Sequence, residues 1–225
     1  MNVFEAIFNR RSTRSFKRDE VDDKLIGVML YSAVHAPSAG NTQEWKFLVV
    51  KDGDIKKQLS KAALNQSFIA QAPVVIVICM DQEKIKLRYG ERGVTMYALQ
   101  DTANATMLMM IAAEALGLNT CWVGAFDEEK LDHILELPTQ VRPIAMLAVG
   151  YSDEKPLKPR RIPFETLTYI DKYWEKYDIS YAVAPGDKTK EYRFPQIGNY
   201  IEDAIEKQAK EMKERPGEDP KKKKR

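Results

Sequence analysis

Four segments of this chain carry polar side chains in patterns that apolar packing does not require. In the first, Arg10-Arg11-Ser12-Thr13-Arg14, three guanidinium groups and two hydroxyls stand within five residues, directly after a short apolar-periodic stretch. Planar forked donors at that density make a compact receptor for an anion such as phosphate. The second, Pro37-Ser38-Ala39-Gly40-Asn41-Thr42-Gln43, offers neutral donors and acceptors that suit the edge of a heteroaromatic ring, and Gly40 permits close backbone approach. The third runs from Gly117 to Phe126, where Gly124 and Ala125 would let backbone N–H groups face a flat ligand with no side chain between them. In the fourth, Lys155, Lys158, Arg160 and Arg161 project from a loop stiffened by Pro156, Pro159 and Pro163. Held near the first cluster, these cations would complete a phosphate site. Each segment also has a plainer reading: a solvated helix end, an ordinary turn, a helix stop before a core strand, and a solvated loop.

The elements that must position these segments follow from hydrophobic periodicity. Helical spacing predicts helices over 3–9 and 22–36, the second stopped by Pro37, and another over 53–63. Residues 45–51 read as a strand, and the continuous β-branched run over 73–80 suits a strand covered on both faces. A long helix over 98–116 is apolar nearly all round and ends at Gly117. That places it at the centre of the fold or of a dimer interface. Strands over 120–125 and 143–150, with a helix over 128–135 between them, complete the pattern. Four strands with helices on both sides make an α+β sandwich.

Composition excludes several classes. The chain has 225 residues, 44% hydrophobic and 30% charged, with 35 Lys+Arg against 33 Asp+Glu and a net charge of +2. Residues 206–225 hold nine basic and five acidic side chains, so the rest of the chain is slightly acidic. One terminal lysine run without interleaved aromatics speaks against nucleic acid as a partner. Cys79 and Cys121 lie in apolar runs, read as buried free thiols and have no neighbours at metal-ligand spacing, and with only two histidines, His35 and His133, no metal is expected. No secretory or membrane-spanning segment is visible, so the protein is expected in the cytoplasm. Gly90-Glu91-Arg92-Gly93 does not follow a strand as a dinucleotide-binding fingerprint must.

Taken together and in order, the words RRSTRSF, APSAGNTQEW, LQDTANATMLMMIAAEALGLNTCWVGAF and LAVGYSDEKPLKPRRIPFE resemble the FMN-dependent nitroreductase family over residues 1–169. The resemblance implies a central, mostly antiparallel sheet flanked by helices, in an intertwined homodimer with FMN between the subunits. It implies that Arg10, Arg11, Ser12 and Arg14 hold FMN, with Arg14 stabilising the reduced ring. Pro37, Ser38, Ala39, Asn41 and Gln43 reach the flavin from the neighbouring subunit, and Asn65 is a further ring contact. Gly124 and Ala125 match the backbone pair at the flavin edge, and Arg160 and Arg161, with Lys158, match cations on the phosphate. The implied activity passes two electrons by a ping-pong route from NADH or NADPH through the flavin N5 to a nitroaromatic, quinone or similar small-molecule acceptor. The alternatives are a specialised branch of the same fold, such as a reductive dehalogenase or a flavin-consuming enzyme, or a non-enzymatic flavin-binding protein.

The chain departs from the family pattern twice. Glu44 stands where a proline usually precedes the tryptophan, which predicts a carboxylate at the pocket rim. The chain also continues well past its PRRIPFE segment. The expected organisation is an FMN-binding domain over 1–173, an aromatic-rich extension over 174–215 that packs on the dimer and includes a helix over 197–212, and a disordered basic tail over 216–225.

Overall fold

The computed structural model describes residues 1–177. The expected helix over 197–212, most of the aromatic extension and the basic tail lie outside them. The chain divides into two compact units, Met1–Lys158 and a second beginning at Pro159.

In the first unit, helix α1 (Val3–Asn9) opens on a capping box. The Asn2 side chain accepts the Glu5 N–H at 2.9 Å, and the Glu5 carboxylate accepts the Asn2 N–H at 2.8 Å. Helix α2 (Asp23–Ala33) is capped by Asp22 and leads to a single 3-10 turn over Ala39–Asn41. Strand β1 (Trp45–Val50), helices α3 (Gly53–Ala62) and α4 (Phe68–Gln71), and strand β2 (Val74–Asp81) follow. Helix α5 (Gln82–Arg92) is broken at Gly90 and passes through a π-helical turn, Gly93–Tyr97, into α6 (Ala98–Ala115). Strand β3 (Asn119–Val123), helix α7 (Glu128–Leu135) and strand β4 (Val141–Gly150) close the unit. Asp52, Asp81 and Asp127 cap α3, α5 and α7 as Asp22 caps α2, each accepting backbone N–H groups that the helix start leaves unpaired.

The four strands form one antiparallel sheet in the order β1-β2-β4-β3. The sheet register shifts between Ile78 and Cys79, and Cys79 pairs with Pro143, which has no N–H to donate. Central β2 is buried from Val74 to Met80, so alternate residues serve two cores. Val74, Ile76 and Ile78 pack with Ile26 and Met29 of α2 and Met109 of α6. Val75, Val77 and Cys79 pack with Leu59, Ile69 and Leu131 of α3, α4 and α7. This is the expected α+β sandwich. Cys79 and Cys121 are buried free thiols, and burial pushes Cys79 up to about 12.

Several expectations need correction. Helix α2 ends at Ala33, not at 36, because the residue before Pro37 is driven out of helical geometry. Two tighter bonds, His35 N–H to Ser32 and Ala36 N–H to Ala33, finish the turn. Helices α4 and α5 were absent from the sequence reading. Ile85 is the one buried residue of α5, so α5 carries almost no apolar period. Helix α6 is not buried all round. Leu99 and Met107 are 38% and 46% exposed, while Asp101, Thr102 and Thr106 are buried. The two threonine hydroxyls donate to the carbonyls of Ala98 and Thr102, each at 2.7 Å, which makes their burial tolerable. Strand β3 ends at Val123, so Gly124 and Ala125 lie beyond it and are exposed.

Candidate functional site

Segment 10–14 leaves α1 and runs beside the start of β3. Thr13 N–H donates to the Thr120 carbonyl at 3.0 Å, and Ser12 forms a parallel bridge with Thr120. Farther on, Lys17 N–H donates to the Tyr151 carbonyl and the Ser152 hydroxyl donates to the Ser15 carbonyl. The arginines are thereby fixed against β3 and the end of β4. Arg11 turns back on α1, its guanidinium donating to the carbonyls of Phe8 (2.8 Å) and Arg10 (2.7 Å). Arg14 is exposed, with its N–H held by the Glu154 carboxylate at 2.7 Å. Burial raises the Glu114 carboxyl and the Cys121 thiol, and both shifts are opposed by Arg10, with Arg11 at Glu114 and Arg14 at Cys121. The positive charge therefore lies over the C-terminal end of α6 and over β3.

The same strand delivers Gly124 and Ala125. They meet the turn after α3, where Leu64 and Asn65 both take left-handed backbone conformations. Asp127 N–H donates to the Ala62 carbonyl at 3.0 Å, and the Gln66 amide reaches the Ala125 carbonyl at 3.5 Å. Asn65 thus sits in the turn that Gln66 ties to the 124–125 backbone. Gln66, which ties the two turns together, was not foreseen. Its only signal is its place beside Asn65.

The 37–43 loop sits elsewhere. Ala39 N–H donates to Asp101 near the start of α6 at 2.8 Å. Arg88 and Lys84 of α5 donate to the carbonyls of Gly40 (2.5 Å) and Gln43 (3.0 Å). Within the loop, Gln43 N–H donates to the Ser38 hydroxyl at 3.1 Å, and the Gln43 amide donates to Asn41 at 2.8 Å. Gly40, Asn41 and Gln43 all have positive φ, and a Cβ on Gly40 would come within 2.2 Å of the Tyr89 hydroxyl. The sequence reading missed this clamp by Lys84, Arg88 and Asp101. A lone carboxylate in a nearly apolar helix was the available clue to Asp101.

Asp101 and Glu114 are thirteen residues apart on α6, about 20 Å along the axis. Within one chain the arginine cluster and the amide loop therefore occupy opposite ends of that helix. Arg160 and Arg161 are exposed in the second unit, and Lys158 is exposed at the end of the first. A surface cleft lined by Phe16, Arg18, Lys56, Ala70, Gln71 and Pro73 contains none of the candidate residues. Its buried Lys56 ammonium already donates to the carbonyls of Ala72 and Pro73.

Glu44 corrects another expectation. It is fully buried, not at a rim, because it immediately precedes β1 beside buried Trp45, with the Asp81 N–H donating to its carbonyl at 2.7 Å. Burial first, and the Asp101 carboxylate next to it, push its carboxyl up to about 7.

As a donor set, the arginines with Ser12 suit a phosphate. The exposed 124–125 backbone and the Ser38, Asn41 and Gln43 groups suit a polar ring edge. The family model described as "Nitroreductase family" matches residues 7–67 and 58–151. The chain is 30% identical over 187 residues to an NADH dehydrogenase of Thermus thermophilus, covering 71% of this chain and 91% of that one. It is 31% identical over 185 residues to an FMN reductase (NADPH) of Bacillus subtilis, covering 75% and 74%. Among solved structures, a nitroreductase family protein from Streptococcus pneumoniae superposes with a TM-score of 0.69 at 26% identity, covering 74% of this chain and 98% of that one.

Proposed function

The chain belongs to the nitroreductase family, and on that premise we propose that it is an FMN-dependent NAD(P)H oxidoreductase whose sites are each built from two copies of the chain. The observation that carries the shared site is the span of α6. An arginine cluster at one end and an amide loop at the other, with about 20 Å of helix between their anchor points Glu114 and Asp101, are held apart within a protomer. A second copy that brings its loop to the first copy's arginines resolves this. Exposed apolar residues on α1, α2 and α6, among them Ile7, Val28, Tyr31 and Met107, supply a surface for that pairing.

In this reading Arg10, Arg11 and Ser12 hold the FMN phosphate. Gly124 and Ala125 present backbone groups to the ring edge, Asn65 borders it, and Ser38, Asn41 and Gln43 of the other copy supply neutral hydrogen bonds. Arg14 places a fixed positive charge beside the ring, where it favours the reduced, more negative form. When bound, FMN supplies the redox chemistry: two electrons arrive from NADH or NADPH and leave to a nitroaromatic, quinone or similar acceptor, one substrate after the other. The unpaired thiols suit a reducing compartment, and we place the protein in the cytoplasm. The flavin domain over 1–173 belongs to the same proposal.

Anaerobic titration of the purified protein tests it. A yellow protein that releases FMN, is bleached by NADH or NADPH and is recoloured by a quinone or nitroaromatic meets the proposal. A protein that stays colourless and takes up no added FMN defeats it.

A further inference from the structure

Two carboxyl groups lie behind the 38–43 loop, outside the set that would face the ligand. Glu44 is fully buried, and no donor of another residue holds either of its carboxyl oxygens; burial and the neighbouring Asp101 carboxylate outweigh its own backbone N–H, which favours the ionised form. Asp101 is 6% exposed, and its Oδ2 accepts the Ala39 N–H at 2.8 Å. An ionised carboxylate buried without a donor is unfavourable, and such a group takes up a proton instead. Where two carboxyls adjoin, one proton serves both, the neutral acid donating to its ionised neighbour.

We propose that Glu44 is held as a neutral acid donating to Asp101, and that this shared-proton pair latches the 38–43 loop onto α6. Glu44 and Asp101 are then positioning residues for the loop. The inference rests on the reading that this loop faces FMN. Asp101 lies at the junction, accepting from the loop backbone on one side and from Glu44 on the other. Ionising Glu44 sets a second negative charge against Asp101 and loosens the latch.

The surrounding charges leave this balance in place. Lys84 of α5 favours the ionised form of Glu44, but its ammonium donates to the Gln43 carbonyl, not to the carboxyl. Arg88 of α5 is directed to the Gly40 carbonyl, and Tyr89 packs beside Gly40. At the end of β2, the Asp81 carboxylate pairs with Lys46 of β1 at 3.7 Å. Among the described residues, then, no cation donates to the Glu44 carboxyl.

The pH consequence has a definite sign. Glu44 is raised from 4.5 to about 7 on folding. The folded chain keeps a proton that the unfolded chain has lost, so stability falls as pH rises from about 4.5 through 7. Glu44→Gln replaces the acid by a permanent donor of similar shape and removes this dependence.

The test follows thermal unfolding of the full-length protein as purified, and FMN affinity by quenching of flavin fluorescence, from pH 5 to 9. Glu44→Gln is expected to melt about 3–6 °C above wild type at pH 8.5, with the gap closing by pH 5. Wild-type FMN affinity is expected to fall at least about threefold between pH 6 and 8.5 relative to Glu44→Gln. Asp101→Asn, which keeps an acceptor for Ala39 but removes the charge, should move the wild-type transition to lower pH. Equal melting of wild type and Glu44→Gln at pH 8.5 overturns the shared proton. A melting gap with parallel FMN-affinity profiles overturns the latch. Failure of every variant to bind FMN at any pH sinks the flavin reading instead, while the melting curves still decide the pair.

Discussion

At the end of α1 the Arg11 guanidinium is turned onto the Phe8 and Arg10 carbonyls, so a bound phosphate depends more on Arg10. Arg10→Ala should weaken FMN binding roughly tenfold to a hundredfold, the loss of about 1.5–3 kcal/mol for a charge-assisted hydrogen bond. Arg11→Ala should weaken it less and lower the melting temperature more, because a helix C-terminus loses its cation. FMN titration and thermal unfolding of the two variants separate these roles. Arg14→Ala should make the reduction potential of the bound flavin more negative, since a fixed cation beside the reduced ring is lost. Weaker FMN binding at an unchanged potential would remove that role. These arginines, and the amides of the 37–43 loop, were legible because their types and spacing have no packing rationale. Glu44 was misplaced for the opposite reason. A carboxylate next to a polar loop reads as exposed, and only the seating of β1 beside the Asp81 backbone buries it.

Among the elements, α6 carries the most consequence, since its two ends anchor different parts of the site. It stops at Gly117, which has a φ of +77° and nothing near its missing Cβ. Gly117→Ala therefore tests backbone strain without a clash, and it should cost about 1–2 kcal/mol in a denaturation midpoint. A variant as stable as wild type would mean that the chain leaves α6 by another route. The strands and α6 were legible from apolar runs and from the glycine stop. Helix α5 was not, because it buries Ile85 and spends its charged residues holding the loop: Lys84 and Arg88 donate to loop carbonyls. The polar stripe of α6 was hidden for a related reason. Thr102 and Thr106 satisfy their hydroxyls on their own helix, so they can face a core that composition assigns to leucines and methionines.

At the scale of the whole molecule, the proposed dimer is expected to persist at all concentrations where FMN stays bound. Met107→Lys, a charge placed on the exposed apolar side of α6, should shift sedimentation toward the monomer and release FMN in parallel. A monomer that retains FMN would refute the shared site. The 20 Å reach of α6 has a further consequence, in the language of complementation. If each site takes its arginines from one chain and its loop from the other, two different defects need not fall in the same site. Arg10→Ala damages one contribution, and Gly40→Val, whose Cβ would run into Tyr89, damages the other. Each variant alone has no intact site. Dissociated together and reassociated at random, half the dimers are mixed, and each mixed dimer has one wild-type site and one doubly damaged one, so about a quarter of all sites regain activity. Two impaired alleles would then rescue each other in one cell, and the recovered fraction would count how many chains build each site.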